Sequence, residues 1–181
     1  MKAGNVREAR PDFIAAVVSE AKHAIGRTAA MKFVDFLQNL RGVPLGYRFS
    51  LYTYGPFDQE VLADLAQADS RKLVKSSLVA YSNGNYGYEI EARAQRTKDA
   101  VGGYRDDIRW VLDRFGGCSA SELEMLSTIV FVDRSTKQKD AMISLADLAR
   151  KVHNIKPHLA QERIEREAQR LRSEGLLLAV A

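Results

Sequence analysis

Apolar positions across residues 12–25 recur at helical spacing: Phe13, Ile14, Val17, Val18, Ala21, Ala24 and Ile25. They predict an amphipathic helix that Gly26 breaks. Thr28 then caps a second helix, Ala29 to Leu40, whose apolar residues Ala30, Met31, Phe33, Val34, Leu37 and Leu40 occupy both faces, as in a central core helix. Arg41-Gly42-Val43-Pro44 stops it. The period changes to two in Tyr47-Arg48-Phe49-Ser50-Leu51, predicting a half-buried strand with Tyr47, Phe49 and Leu51 on one face. Gly55-Pro56 reads as its turn, and Asp58 as the cap of a helix from Gln59 to about Ala68. Segments Lys72–Tyr81 and Asn85–Ala92 then form a hairpin around Asn83-Gly84, a type I′ signal that sets Tyr81 against Tyr86 and Val79 against Tyr88. Two helices, a short strand, a helix and a hairpin make a winged-helix arrangement.

The second half is helical. A charged connector, 93–103, has a possible helix start at Thr97 and a break at Gly102-Gly103. Tyr104–Phe115 carries the stripe Ile108, Val111, Leu112, Phe115. Ser119-Ala120-Ser121-Glu122 is a capping box opening a helix through about Val132, followed by a polar loop, Asp133 to Asp140. Ser144 caps a short helix burying Leu145, Leu148, Ala149 and Val152. After His153-Asn154-Ile155-Lys156, Pro157 stands near the first turn of a last helix that ends about Ser173 and is capped by Gly175. Leu176–Val180 reads as a strand. The fold class is mainly α with a small antiparallel β component (α+β): a winged helix-turn-helix unit over 1–92, the connector 93–103, and a helix-turn-helix-like unit over 104–181 packed with the first as one body.

Composition changes this picture little. The 181 residues are 46% apolar and 28% charged, ordinary globular values. No apolar run approaches the ~18–20 residues of a membrane span, and the first residues lack a signal-peptide core. One cysteine, Cys118, excludes an internal disulfide framework and fits a reducing cytosol, so a cytoplasmic location is expected. Net charge is +4, and the basic excess is greatest in residues 133–181, with 10 basic against 7 acidic side chains. That permits nucleic-acid binding without requiring it.

Three stretches carry a resemblance: Gly26-Arg27-Thr28-Ala29-Ala30-Met31-Lys32-Phe33-Val34-Asp35-Phe36-Leu37-Gln38, Tyr54-Gly55-Pro56-Phe57, and Ile155-Lys156-Pro157-His158 with Ser173-Glu174-Gly175-Leu176. Together they resemble the YwgA-like bacterial and archaeal proteins. The first two are more distantly similar to the Panacea, or SocA-like antitoxin, domain. Ala30-Met31-Lys32-Phe33 departs from the Lys-Leu-Gln-Lys helix start usual there. The resemblance implies a winged-helix fold and a place in regulatory or defence-related operons; it carries no settled activity.

On the last helix, Lys156, Arg163, Arg166 and Arg170 are candidate phosphate contacts, with His158 beside them and Gln161 placed to reach a base edge. Glu162, Glu165, Glu167 and Glu174 interleave with them, as on a solvated helix face. Lys72, Lys75, Asn83, Asn85 and Tyr86 are candidate wing contacts. Tyr54, Gly55, Pro56 and Asp58 read as structural. His153 and His158 lack a third close metal ligand, and no nucleophile elbow, P-loop or dinucleotide fingerprint occurs, so no metal, cofactor or enzymatic activity is expected. The expected function is a non-enzymatic, homodimeric, DNA-binding transcriptional regulator acting on double-stranded DNA. The alternative is a protein-interaction module of antitoxin or adaptor kind.

Overall fold

The computed structural model describes residues 3–80, 84–93 and 101–180. Asn83 and Tyr81 of the expected turn, and the possible helix start at Thr97, lie outside them. The elements in order are α1 (Ala3–Glu8), α2 (Arg10–Glu20), β1 (Ile25–Gly26), α3 (Arg27–Arg41), β2 (Ser50–Tyr52), β3 (Gly55–Phe57), α4 (Gln59–Ser70), β4 (Val74–Ala80) and β5 (Tyr86–Ala92). A 3-10 turn (Gly102–Tyr104) then leads to α5 (Arg105–Phe115), α6 (Ala120–Lys137), α7 (Leu145–Ile155) and α8 (Gln161–Ser173). The class is α+β. By its internal contacts the chain divides into two compact units, residues 1–50 with 57–120 and residues 51–56 with 121–181, so that α5 groups with the first.

In the first unit α2 and α3 are buried all round. Phe13 to Val18 and Ala30 to Leu37 form unbroken buried runs, and α2 packs on α3, α4, α5 and β5. Phe36 stacks on Phe115, with ring centroids 4.4 Å apart. Each such ring withdrawn from water contributes ~1.5–3 kcal/mol relative to exposure. Helix α2 ends at Glu20, not Ile25, because Ala21 turns extended (ψ 139°) and Ile25-Gly26 leaves to pair with Ile90 and Glu89 of β5. Gly26, not Thr28, is therefore the N-cap of α3, and it caps without a side chain. The sheet order is β1-β5-β4, all antiparallel.

The Tyr47–Asp58 stretch differs from the single strand expected. Residues 43–49 run without ladder partners, Gly46 taking φ 74°, and bury Val43, Leu45 and Tyr47 alternately. The chain then forms the small hairpin β2–β3, reversing at Thr53-Tyr54. Gly55 (φ 80°) and Pro56 lie within β3 rather than in the turn. Leu51 is exposed, not on the buried face with Tyr47. Asp58 does cap α4, its Oδ1 accepting from Glu60 N at 2.8 Å. The β4–β5 register is also one residue from that expected: Ala80 opposes Tyr86 and Leu78 opposes Tyr88, while Val79 faces Gly87.

In the second unit α6 runs five residues past Val132, through part of the expected polar loop. Two of its polar residues there are satisfied inside the fold. The fully buried Asp133 accepts from the backbone N–H groups of Leu178 (3.0 Å) and Ala179 (2.8 Å), and Thr136 donates to Val132 O at 2.8 Å. Ser144 caps α7, accepting from Asp147 N. Helix α7 extends through Ile155, and α8 begins only at Gln161, so Pro157 sits in the turn between them and not in the first turn of α8. Gly175 (φ 71°) follows α8. The expected strand Leu176–Val180 reduces to one parallel bridge, Val180 to Ile143.

Candidate interaction surfaces

Lys156, placed by sequence among the phosphate contacts, is 4% exposed. Its Nζ lies 2.8 Å from Glu124 Oε1 on α6, donates to Tyr52 O at 3.1 Å and makes a further bond to Thr53 O. The ammonium thus has two carbonyl acceptors and one close carboxylate, all within the second unit, which offsets the burial of its charge. The group fastens the reversal of the β2–β3 hairpin and is withdrawn from any external phosphate. His158 next to it is exposed, its Nε2 3.7 Å from the same Glu124 oxygen.

The cations of α8 fare differently from one another. Arg163 pairs with Glu122 at 3.1 Å. Arg170 pairs with Glu167 (2.9 Å) and Glu174 (3.3 Å). Partial burial opposes the Arg170 charge, but the bond it donates to Glu167 and the nearness of the Glu167 and Glu174 carboxylates outweigh it and hold the guanidinium's pKa above its ordinary value. Gln161 is half-buried at the helix start. Arg166 and Arg172 are exposed and have no ion pair among the described residues. Helix α4, following α3 in the first unit, carries Glu60, Asp64 and Asp69 behind Asp58, and no lysine or arginine.

Lys72 (φ 59°), Lys75, Asn85 and Tyr86 are exposed along the β4–β5 hairpin. Alternation places Val74, Ser76, Leu78 and Ala80 on one face with Tyr86, Tyr88, Ile90 and Ala92. Val74 and Ile90 are fully buried, but further out Leu78 is 61%, Tyr86 73% and Tyr88 37% exposed. The core face of the sheet thus continues outward as an uncovered apolar ledge. The Arg27 guanidinium lies 3.3 Å from the Tyr88 ring centroid and steadies that ring. Of the structural motif, Tyr54 is exposed while Gly55 and Pro56 are buried.

A network that the sequence patterns did not mark joins α2, residues 45–47 and α4. Buried Arg10 donates to Leu45 O (2.8 Å), Gly46 O (2.9 Å) and Glu60 Oε2 (2.5 Å), and its guanidinium lies over the Tyr47 ring. Tyr47 Oη donates to Asp64 Oδ2 at 2.8 Å. Burial, then the bond to Asp64, pushes the Tyr47 phenol far above its ordinary range. Burial also raises the Asp64 carboxyl, while the bond from Arg10 lowers that of exposed Glu60. An apolar residue three or four positions from Arg10 is the only local sequence signal for its burial, and it is shared by many surface arginines.

A cleft of about 310 Å³ in the first unit is lined by Glu20, His23, Ile25, Phe33 and Asp113 among others. Glu20 there is already held by Arg105 and, at 3.4 Å, by Arg109. Among the described residues no group of three His, Cys, Asp or Glu side chains could hold a metal ion, and no helix is long and apolar enough to cross a membrane. No protein-family model matches the chain, and no curated protein matches it significantly.

Proposed function

We propose that the protein is a non-enzymatic protein-interaction module, of adaptor or antitoxin kind, on a winged-helix scaffold. The scaffold reading is supported by the order α2–β1–α3–α4–β4–β5 with β1 beside β5, which is that of a winged helix. The observation that carries the functional reading is the apolar ledge of Leu78, Tyr86 and Tyr88 on the wing. Aromatic and aliphatic side chains exposed together are the usual anchors of protein interfaces. The electrostatics agree. Helix α4, in the position of a recognition helix, is acidic and would repel phosphate, while Lys156, Arg163 and Arg170 are engaged by carboxylates. The resemblance through Tyr54-Gly55-Pro56-Phe57 points the same way, toward antitoxin-like domains.

A second reading, duplex DNA binding by α8, draws support from exposed Arg166 and Arg172. The two separate in one pair of measurements. The interaction reading expects a stoichiometric protein partner from the source cells, lost in Leu78→Ser/Tyr86→Ser and retained in Arg166→Ala. Salt-dependent duplex binding that Arg166→Ala weakens, with no such partner, would overturn it.

A further inference from the structure

We infer that the outer edge of β4 accepts an extended, acidic strand from a protein partner, which completes the sheet as β1-β5-β4-partner. The inference rests on the protein-interaction reading and names the partner's chemistry. Strand β4 is terminal in its sheet, and among the described residues its backbone bonds run to β5 alone. Its register with β5 is unbroken from Val74–Ala92 to Ala80–Tyr86, without a bulge, and it contains no proline. Seven straight residues therefore offer a row of main-chain donors and acceptors to a further strand.

The two faces of the hairpin state what that strand should carry. On one face an incoming strand meets Leu78, with Tyr86 and Tyr88 behind it across β4 and the Tyr88 ring held by Arg27, so alternate residues should be apolar. On the other face Lys75 is exposed and stands opposite Glu91, with Ser77 opposite Glu89. An acid beside Lys75 on its outer side would continue the charge alternation across the sheet. A second copy of β4 cannot supply it. Val74–Ala80 contains no aspartate or glutamate, and antiparallel self-pairing about Ser77 sets Lys75 against Val79. The single edge lysine thus disfavours self-association and favours an acidic partner. Glu89 and Glu91 behind it disfavour a phosphate backbone.

The test uses the full chain and two seven-residue peptides, one alternating valine with glutamate, the other valine with lysine, read by amide NMR and hydrogen exchange. The glutamate peptide should protect β4 amides and bind more tightly than the lysine peptide. Lys75→Glu should reverse the preference, by about fivefold in Kd per cross-strand charge pair. Leu78→Ser, at an exposed position, should weaken both peptides with the fold's exchange pattern intact. Equal binding of the two peptides, protection elsewhere than β4, no binding, or concentration-dependent dimerisation through β4 would each overturn the inference. A native partner whose binding survives both Lys75→Glu and Leu78→Ser would overturn it while leaving the protein-interaction reading standing. Failure of that reading shows separately, as salt-dependent duplex binding without a partner.

Discussion

Arg10 in the first unit and Lys156 in the second solve the same problem. Each is a buried cation that binds two successive backbone carbonyls of the segment between α3 and α4 and lies close against one carboxylate. Arg10 holds Leu45 and Gly46 with Glu60 and, more distantly at 3.7 Å, Asp64; Lys156 holds Tyr52 and Thr53 with Glu124. They differ in where the carboxylate sits. The Glu60 side chain is 63% exposed, so water can replace Arg10 there, and Asp64 keeps its bond from Tyr47; the Glu124 side chain is 9% exposed, with Lys156 as its close cation. The same contact therefore carries different consequences when it is cut, because an uncompensated buried ion costs far more than a solvated one.

Lys156→Ala should have the largest effect. It strands the Glu124 carboxylate and leaves two carbonyls without their donor, costing about 3–5 kcal/mol of stability in denaturant titration. Adding Glu124→Leu to Lys156→Met should recover most of that loss. Recovery would identify the stranded charge as the main cost; none would mean that the carbonyl bonds dominate. Arg10→Ala should cost less, about 2–3 kcal/mol, mainly through the lost bonds to Leu45 and Gly46. A loss equal to that of Lys156→Ala would break the contrast between the two sites.

Tyr47→Phe should cost least, about 1 kcal/mol near neutral pH, and it sharpens the comparison through pH. The unfolded phenol ionises near its ordinary 10.0 while the folded one keeps its proton. The stability Tyr47 contributes is therefore complete below about pH 10 and falls as pH rises beyond it. Tyr47→Phe should remove that alkaline decline in a pH series of melting curves. Asp64 acts at the acid end: its folded carboxyl titrates above 3.8, so its contribution falls as pH rises from there through the higher folded value. Loss of the Tyr47 bond, which lowers the Asp64 pKa, should widen that window.

Much of the fold was legible in order along the chain. The stripes of α3, α5, α7 and α8, the caps Asp58 and Ser144, and the two strands of the β4–β5 hairpin follow from periodicity and turn chemistry, which are local. What failed were features whose energy comes from elsewhere. Strand β1 is two residues long and exists because Ile90 and Glu89 offer a ladder. Helix α6 outruns its apolar pattern because Asp133 finds the Leu178 and Ala179 amides. The β4–β5 register differs by one residue from that of an Asn-Gly turn, because register is set by pairing along the whole run from Val74–Ala92 to Ala80–Tyr86.

The candidate surface divides along the same line. Local pattern placed exposed Tyr86, Lys75 and Arg166 on their elements and supplied the acids that accompany the α8 arginines. It could not separate Lys156, a cation in a short link, from a phosphate contact. A lysine's four-carbon stem and ammonium suit either water or a buried cage of acceptors, and the choice depends on Tyr52, Thr53 and Glu124, distant in the chain. The sequence by itself thus determined where most helices and the two strands of the β4–β5 hairpin lie, and which charges accompany them. Only the tertiary structure decided which cations face inward, because desolvation is set by the whole surroundings of a group and not by its neighbours in sequence.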